Sequence, residues 1–299
     1  MRQAIRYARP LVYALCALLL VLIVLVTMLL LDGPPTAQPD QTVTAAAAAS
    51  STNDLLYTFN VPGTLEETDS MQQSSSPYWW LDSGGEFMIA DGVGETIQGD
   101  APTLDIWHVR YAITNPRDTD GGLHPQNLLR LVTRSKWENL REEMSFLIEA
   151  DNFSPSFNRN TSNGLLLMSR YAIDGQTLYY AGIRVDGTAV IKKKYHGIYY
   201  TMAQRQIFPG TYTGWQDNID LIPHHQWIRL RSDTVTNTDG SVTVRLYMKL
   251  ASDTEWQLLL SATDSGQYAG TSPITGPAYA GIRTDFMDVH FGNYVAEAI

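Results

Sequence analysis

Residues 188–201 read Thr-Ala-Val-Ile-Lys-Lys-Lys-Tyr-His-Gly-Ile-Tyr-Tyr-Thr, which places Lys192, Lys193, Lys194, His196, Tyr199 and Tyr200 in one short stretch. Ammonium groups neutralise a carboxylate or sulfate, and a phenol or imidazole beside them can take or return a proton. Which of these groups act together depends on the backbone. One continuous strand would put Lys192, Lys194, His196, Ile198 and Tyr200 on a single face. A hairpin turning at His196-Gly197 would set Tyr195 opposite Ile198, Lys194 opposite Tyr199, Lys193 opposite Tyr200 and Lys192 opposite Thr201. The hairpin sorts the faces more consistently. Ile191, Tyr195, Ile198, Tyr200 and Met202 then form a mainly apolar side, and Lys192, Lys194, Tyr199 and Thr201 a polar one. His196 falls at the turn, where a structural or exposed role is expected.

Residues 165–205 carry six basic side chains against Asp174 and Asp186, whereas the whole chain has 21 basic and 31 acidic residues. These cations stand out from an acidic background and would attract an anionic group locally. The competing reading is that a Lys-rich exposed strand guards a sheet edge against pairing. Two further cations, Arg130 and Arg134, share one face of 128–134 and could hold a second anionic group.

The heptad Tyr180-Ala181-Gly182-Ile183-Arg184-Val185-Asp186 returns as Tyr279-Ala280-Gly281-Ile282-Arg283-Thr284-Asp285. Strand periodicity places Tyr, Gly, Arg and Asp on one face and the apolar residues on the other. The match fades outside the heptad, so two strands of one sheet system are expected rather than a duplicated domain. Arg and Asp, two residues apart, can pair with each other, which points to structure. Arg184 is also a candidate ligand contact.

Metal and thiol chemistry is sparse. His224-His225 is the only adjacent His pair, and neighbouring strand residues face opposite ways, so the pair is a poor chelate. The single cysteine, Cys16, lies in an apolar run, so no disulfide is expected beyond it. The first 31 residues hold three Arg and no acid, which leaves a net charge of −13 on the remainder. Binding to nucleic acid through a global positive field is excluded on that balance.

The positioning elements follow from pattern. Residues 11–31 are uncharged and would span about 31 Å as a helix, close to a bilayer core. With Arg2, Arg6 and Arg9 before them, the basic segment 1–10 is expected in the cytoplasm and the bulk of the chain outside. A signal anchor fits that length better than a cleaved peptide. Residues 32–53, rich in Pro, Ala and Thr, read as a flexible linker. Residues 54–299 read as short β-type segments, at 104–113, 127–133, 143–148, 164–171, 178–185, 188–195, 198–204, 227–231, 242–250, 256–262 and 279–291. Asp174-Gly175, Asp186-Gly187 and Asp239-Gly240 supply turns between them.

The terminal stretch Tyr279-Ala280-Gly281-Ile282-Arg283-Thr284-Asp285-Phe286-Met287-Asp288-Val289-His290-Phe291-Gly292-Asn293-Tyr294, with 178–200, resembles concanavalin A-like lectin/glucanase domains, including laminin-G-like modules. The resemblance implies an all-β antiparallel jelly-roll β-sandwich whose concave face binds glycans. It also implies a structural calcium ion, with Asp288 as the candidate ligand. Tryptophans 79, 80, 107, 137, 215, 227 and 256 could stack on sugars, although core packing is their commoner use. The Glu-x-Asp-x-(x)-Glu strand of related retaining hydrolases is incomplete here, because Glu149-Ala150-Asp151 lacks the last carboxylate.

Lys194-Tyr195-His196-Gly197-Ile198-Tyr199 is similar to a segment of jelly-roll polysaccharide lyases, although no Gln-x-His segment accompanies it. That resemblance implies cleavage of a uronate polymer by β-elimination. Tyr199 and Lys194 would be catalytic, and Lys192, Arg130, Arg134, Arg184 and Tyr200 would bind substrate. Three functions therefore remain: a membrane-anchored extracytoplasmic glycan-binding domain, a polysaccharide lyase, and a structural or adhesion module of the cell envelope. No cofactor is required by any of them. Convergence of Arg130, Arg134, Lys192, Lys194 and Tyr199 in one groove separates the second from the third.

Overall fold

Strand β7 (Leu140–Asp151) illustrates how this sequence builds a sheet. Leu140, Met144, Phe146 and Ile148 are buried, whereas Arg141, Glu143, Ser145 and Leu147 face outward, the two-residue period of a strand with one covered face. The structure, a computed structural model, describes residues 54–214 and 218–299. The expected anchor at 11–31 with Cys16, the linker at 32–53, and Trp215 lie outside the described residues. Among the described residues no helix is long and apolar enough to cross a membrane.

β7 is central in a nine-stranded antiparallel sheet. Its order is β14 (Gln257–Asp264), β13 (Val242–Leu250), β12 (Ile228–Thr236), β7, β16 (Met287–Ala298), β5 (Val93–Thr96), β4 (Glu86–Ala90) and β2 (Gly63–Glu66), with β1 (Leu55–Tyr57) also paired to β16. The second sheet has seven antiparallel strands, ordered β11 (Ile198–Gln206), β10 (Thr188–Tyr195), β9 (Leu178–Arg184), β8 (Gly164–Tyr171), β15 (Ala278–Thr284), β6 (Arg130–Trp137) and β3 (Trp79–Ser83). The main core lies between them. Leu165, Leu167, Tyr179, Ala181, Ile183 and Ile191 from the seven-stranded sheet meet Phe146, Ile148, Leu230, Val244, Leu246 and Phe291 from the other. Burying each large side chain contributes about 1.5–3 kcal/mol. The antiparallel β-sandwich expected from the sequence is present.

A second apolar cluster covers the outer side of the seven-stranded sheet, formed by Met71, Trp80, Val132, Leu166, Met168, Tyr171, Leu178, Tyr180 and Val190. This accounts for β8, whose eight residues are all buried; a strand covered on both faces loses the alternation of a half-buried one. The repeated heptads are the two strands that flank β8. β9 sets Gly182 opposite Leu166, and β15 sets Gly281 opposite Met168. A Cβ on Gly182 would lie 2.0 Å from the Leu165 carbonyl oxygen, and one on Gly281 2.4 Å from that of Leu131. Both glycines are therefore dictated by close approach of a neighbouring backbone.

Two expectations are corrected. The segment 104–113, read as a strand, contains helix α1 (Ile106–Thr114). Asp105 caps it, accepting from the Trp107 and His108 N–H groups at 2.7 and 3.4 Å. Trp107 and Tyr111, four apart, are its buried side, while Leu104, Ile106, Val109 and Ile113 are exposed. Local alternation of apolar residues was thus misleading. The segment 279–291 is two strands, β15 and β16, in different sheets. The chain crosses between them at Asp285-Phe286, where Phe286 has φ 56°.

Candidate functional site

The hairpin register matches the second of the two sequence geometries. Lys192 faces Thr201, Lys193 Tyr200, Lys194 Tyr199 and Tyr195 Ile198. The turn forms because His196 and Gly197 both adopt positive φ, 47° and 83°, as a tight hairpin with matching twist requires. β10 is paired on both sides, to β9 and β11. The three lysines therefore do not guard an edge.

Alternation along β10 separates their roles. Lys193 points between the sheets, fully buried, with its ammonium 2.8 Å from the Asp264 carboxylate of β14. Lys192 and Lys194 point to the outer side, where their ammonium groups lie 5.9 and 5.1 Å from the centre of the Tyr199 ring. Arg283 reaches the same ring from β15, its Nη1 donating to Tyr199 Oη at 3.3 Å. The Tyr180 ring meets Tyr199 edge-on at 5.8 Å.

These groups border two adjoining recesses. One, of about 480 Å³, is lined by Arg130, Lys194, Tyr199, Arg283 and Asp285, together with Glu67, Arg110, Tyr111 and Gln176. The other, of about 420 Å³, is lined by Lys192, Tyr180, Tyr199, Arg283 and Asp285, with Asn158, Asn160 and Asn163. Tyr199, Arg283 and Asp285 belong to both. Each volume suits a sugar-sized ligand. Among the described residues no tryptophan lines either recess, and Trp79, Trp80, Trp107 and Trp137 are buried.

The electrostatics favour charge on Tyr199. Burial pushes its phenol up, but Arg283 and Lys194 outweigh that and hold it below the ordinary tyrosine value. Burial, with Arg184 nearby, lowers the Lys192 ammonium. Burial disfavours charge on Arg283, yet Asp285 and Tyr199 together raise its guanidinium. Asp285 Oδ1 accepts from Arg283 Nε and Nη2 at 2.8 and 2.7 Å. Arg130 pairs with Asp82 at 3.2 Å. Among the described residues, no carboxylate lies within ion-pair distance of Lys192 or Lys194; the Lys194 ammonium donates to the Gly175 carbonyl at 2.8 Å.

Other residues singled out from the sequence stand apart. Arg134 donates to the Ser76 and Ser74 carbonyls at 2.5 and 3.5 Å and lines neither recess. Arg184 pairs with Asp186, although its charge is felt at Lys192. Tyr200 sits opposite Lys193, on the other side of the hairpin from Tyr199. Asp288 is buried in a nest of donors, accepting from Gly99 N–H at 2.6 Å, Gln126 Nε2 at 2.9 Å and Asn152 Nδ2 at 2.8 Å. Those hydrogen bonds hold three connecting segments to β16. Arg283, Asp285 and Tyr180, by contrast, join the site without having been singled out as ligand contacts. The repeated heptad was their signal, since each occupies a position on its polar face.

No protein-family model matches the chain, and no curated protein matches it. Solved structures similar to it include the carbohydrate-binding module CBM66 from Bacillus subtilis, at 13% identity over 74% of this chain and 95% of that one, TM-score 0.41. A β-glucanase from Bacillus licheniformis is similar at 8% identity over 80% and 98%, TM-score 0.42. The PL-14 alginate lyase from Aplysia kurodai is similar at 8% identity over 79% and 98%, TM-score 0.37. These neighbours are jelly-roll sandwiches of the concanavalin A-like kind.

Proposed function

We propose that this protein binds an anionic polysaccharide, a uronate polymer in the first instance, in the recesses of the seven-stranded sheet. Residues 11–31 would anchor it in a membrane with the sandwich on the extracytoplasmic side. The observation that supports binding is the convergence of Lys192, Lys194, Arg130 and Arg283 around Tyr199. A purely structural envelope module has no use for two lysines without carboxylate partners beside a half-sunk phenol.

A second reading, β-elimination, is favoured by the cations that hold the Tyr199 phenol down. In that reaction Tyr199 as phenolate takes the C5 proton, the electrons form the C4–C5 double bond, and the C4–O bond breaks. Lys194 and Arg283 offset the charge that develops on the uronate carboxylate, and the leaving oxygen is protonated by an acid. Retaining hydrolysis is not supported, since Glu149 and Asp151 lie on β7 of the other sheet and line neither recess.

The test incubates the full chain in detergent with a panel of uronate polymers, following the absorbance of unsaturated uronate and polymer binding in parallel. Binding with rising absorbance establishes the lyase, and binding alone the lectin. Silence in both arms refutes both readings.

A further inference from the structure

A second constellation lies away from the recesses, where the end of β7 meets residues 218–227. Asp151, Asp220 and His224 each present one ligand atom, and these atoms all lie within 4.8 Å of one another. Each is held from its own backbone or neighbour. The Asp220 N–H donates to Asp151 Oδ2 at 3.0 Å, and the Ile222 N–H donates to Asp220 Oδ1 at 2.9 Å. His224 Nε2 stands 3.4 Å from Asp151 Oδ1. Arg159 donates to the Gly214 and Asn218 carbonyls at 3.2 and 3.3 Å, and the Leu221 N–H is bonded to the Val185 carbonyl at 2.7 Å.

The arrangement is incomplete as a protein-only network. Asp220 is 6% exposed, and its buried Oδ2 meets no N–H donor; the neighbour it shares with His224 Nε2 is the Asp151 carboxylate, itself an acid. A buried carboxylate oxygen left in this state is costly. Arg159 places positive charge near Asp220 and donates to the Gly214 and Asn218 carbonyls. Adjacent His225 turns the other way, toward Glu149 at 3.6 Å, so a single imidazole joins two carboxylates.

We propose that Asp151, Asp220 and His224 form a binding site for one divalent transition-metal ion, with Zn²⁺ preferred over Ca²⁺. Ligand atoms about 2.0–2.2 Å from zinc lie roughly 3–4 Å from each other, which the cluster reaches with small side-chain shifts. Two oxygens and an imidazole nitrogen suit zinc or manganese, whereas calcium takes six to eight oxygens. The ion would neutralise Asp220 Oδ2 and staple residues 218–227 to β7. It shares no residue with the recesses, so its test is independent of the glycan reading.

The experiment treats the full chain in detergent with a chelator, removes the chelator, and titrates ZnCl₂, MnCl₂ and CaCl₂ by calorimetry, alongside thermal melts. One Zn²⁺ per chain is expected, with a higher melting temperature in zinc and binding at least tenfold weaker in D220N and in H224A. H225A should bind as the wild type does. D220N is near-isosteric and lets an amide donate to Asp151, so the metal-free variant should remain folded by circular dichroism. Absence of stoichiometric zinc binding by folded wild type, unchanged affinity in D220N and H224A, or preference for calcium would each overturn the proposal.

Discussion

Arg283 on β15 donates to the phenol of Tyr199 on β11, 84 residues earlier in the chain, at 3.3 Å. Three strands, β10, β9 and β8, lie between these two in the sheet. In a flat sheet four spacings would hold their backbones about 19 Å apart, beyond the combined reach of the two side chains. The contact therefore requires the sheet to curl toward this face, or the hairpin to lean over it. Either geometry encloses the recesses, and it makes Tyr199 the point where the two halves of the site meet.

Among the described residues, no carboxylate forms an ion pair with Lys192 or Lys194. Replacing both with Gln keeps their stems while removing their charge, and should weaken binding of a uronate polymer by about tenfold per lysine, the size of a charge-assisted contact. A flatter dependence of affinity on salt should accompany the loss. Unchanged affinity and salt dependence in equilibrium binding would place the ligand elsewhere.

Because Arg283 and Lys194 hold the Tyr199 phenol below its ordinary value against the effect of burial, removing one of them has a definite sign. Lys194→Gln should raise the value, so the tyrosinate absorbance missing from Tyr199→Phe should appear at higher pH than in wild type. Should the protein eliminate, the rising limb of its rate with pH should move the same way.

Lys193 and Asp264 join the two sheets at the hairpin end, both fully buried. The ammonium also donates to the Ser272 carbonyl at 3.0 Å, and Asp264 accepts from the Tyr179 hydroxyl at 2.6 Å. Lys193→Met strands a buried carboxylate and should cost about 3–5 kcal/mol by urea denaturation. Lys193→Met with Asp264→Leu should recover much of that loss.

Glu142 sits on the core face of β7, its Oε1 accepting from Tyr294 Oη at 2.8 Å and from the Gly281 N–H at 3.0 Å. Burial raises its value well above that of an ordinary carboxyl, outweighing the two hydrogen bonds. The folded state therefore keeps a proton that the unfolded chain releases near 4.5. Its contribution to stability is fully present below that pH and is lost as pH rises toward the folded value. Glu142→Gln should remove that slope from the stability-versus-pH curve; a slope identical to wild type would assign it to other groups.

The sequence by itself determined the local geometry. Strand period, the His196-Gly197 turn and the sorting of Lys192 and Lys194 from Lys193 follow from chemistry within a few residues, because a hairpin's register is set by its turn. The heptads were legible as strands for the same reason. Helix α1 was not, since what selected it was the Asp105 cap and the burial of Trp107 and Tyr111 against distant partners, which outweighed local alternation. Tertiary structure alone decided which charges meet. Strand order brings Arg283 and Tyr180 to Tyr199, leaves Arg134 on backbone carbonyls, and gathers Asp220 and His224 against Asp151 from a connection about seventy residues away. Side-chain reach is a few ångströms, so such neighbours exist only once sheet order and crossovers are in place.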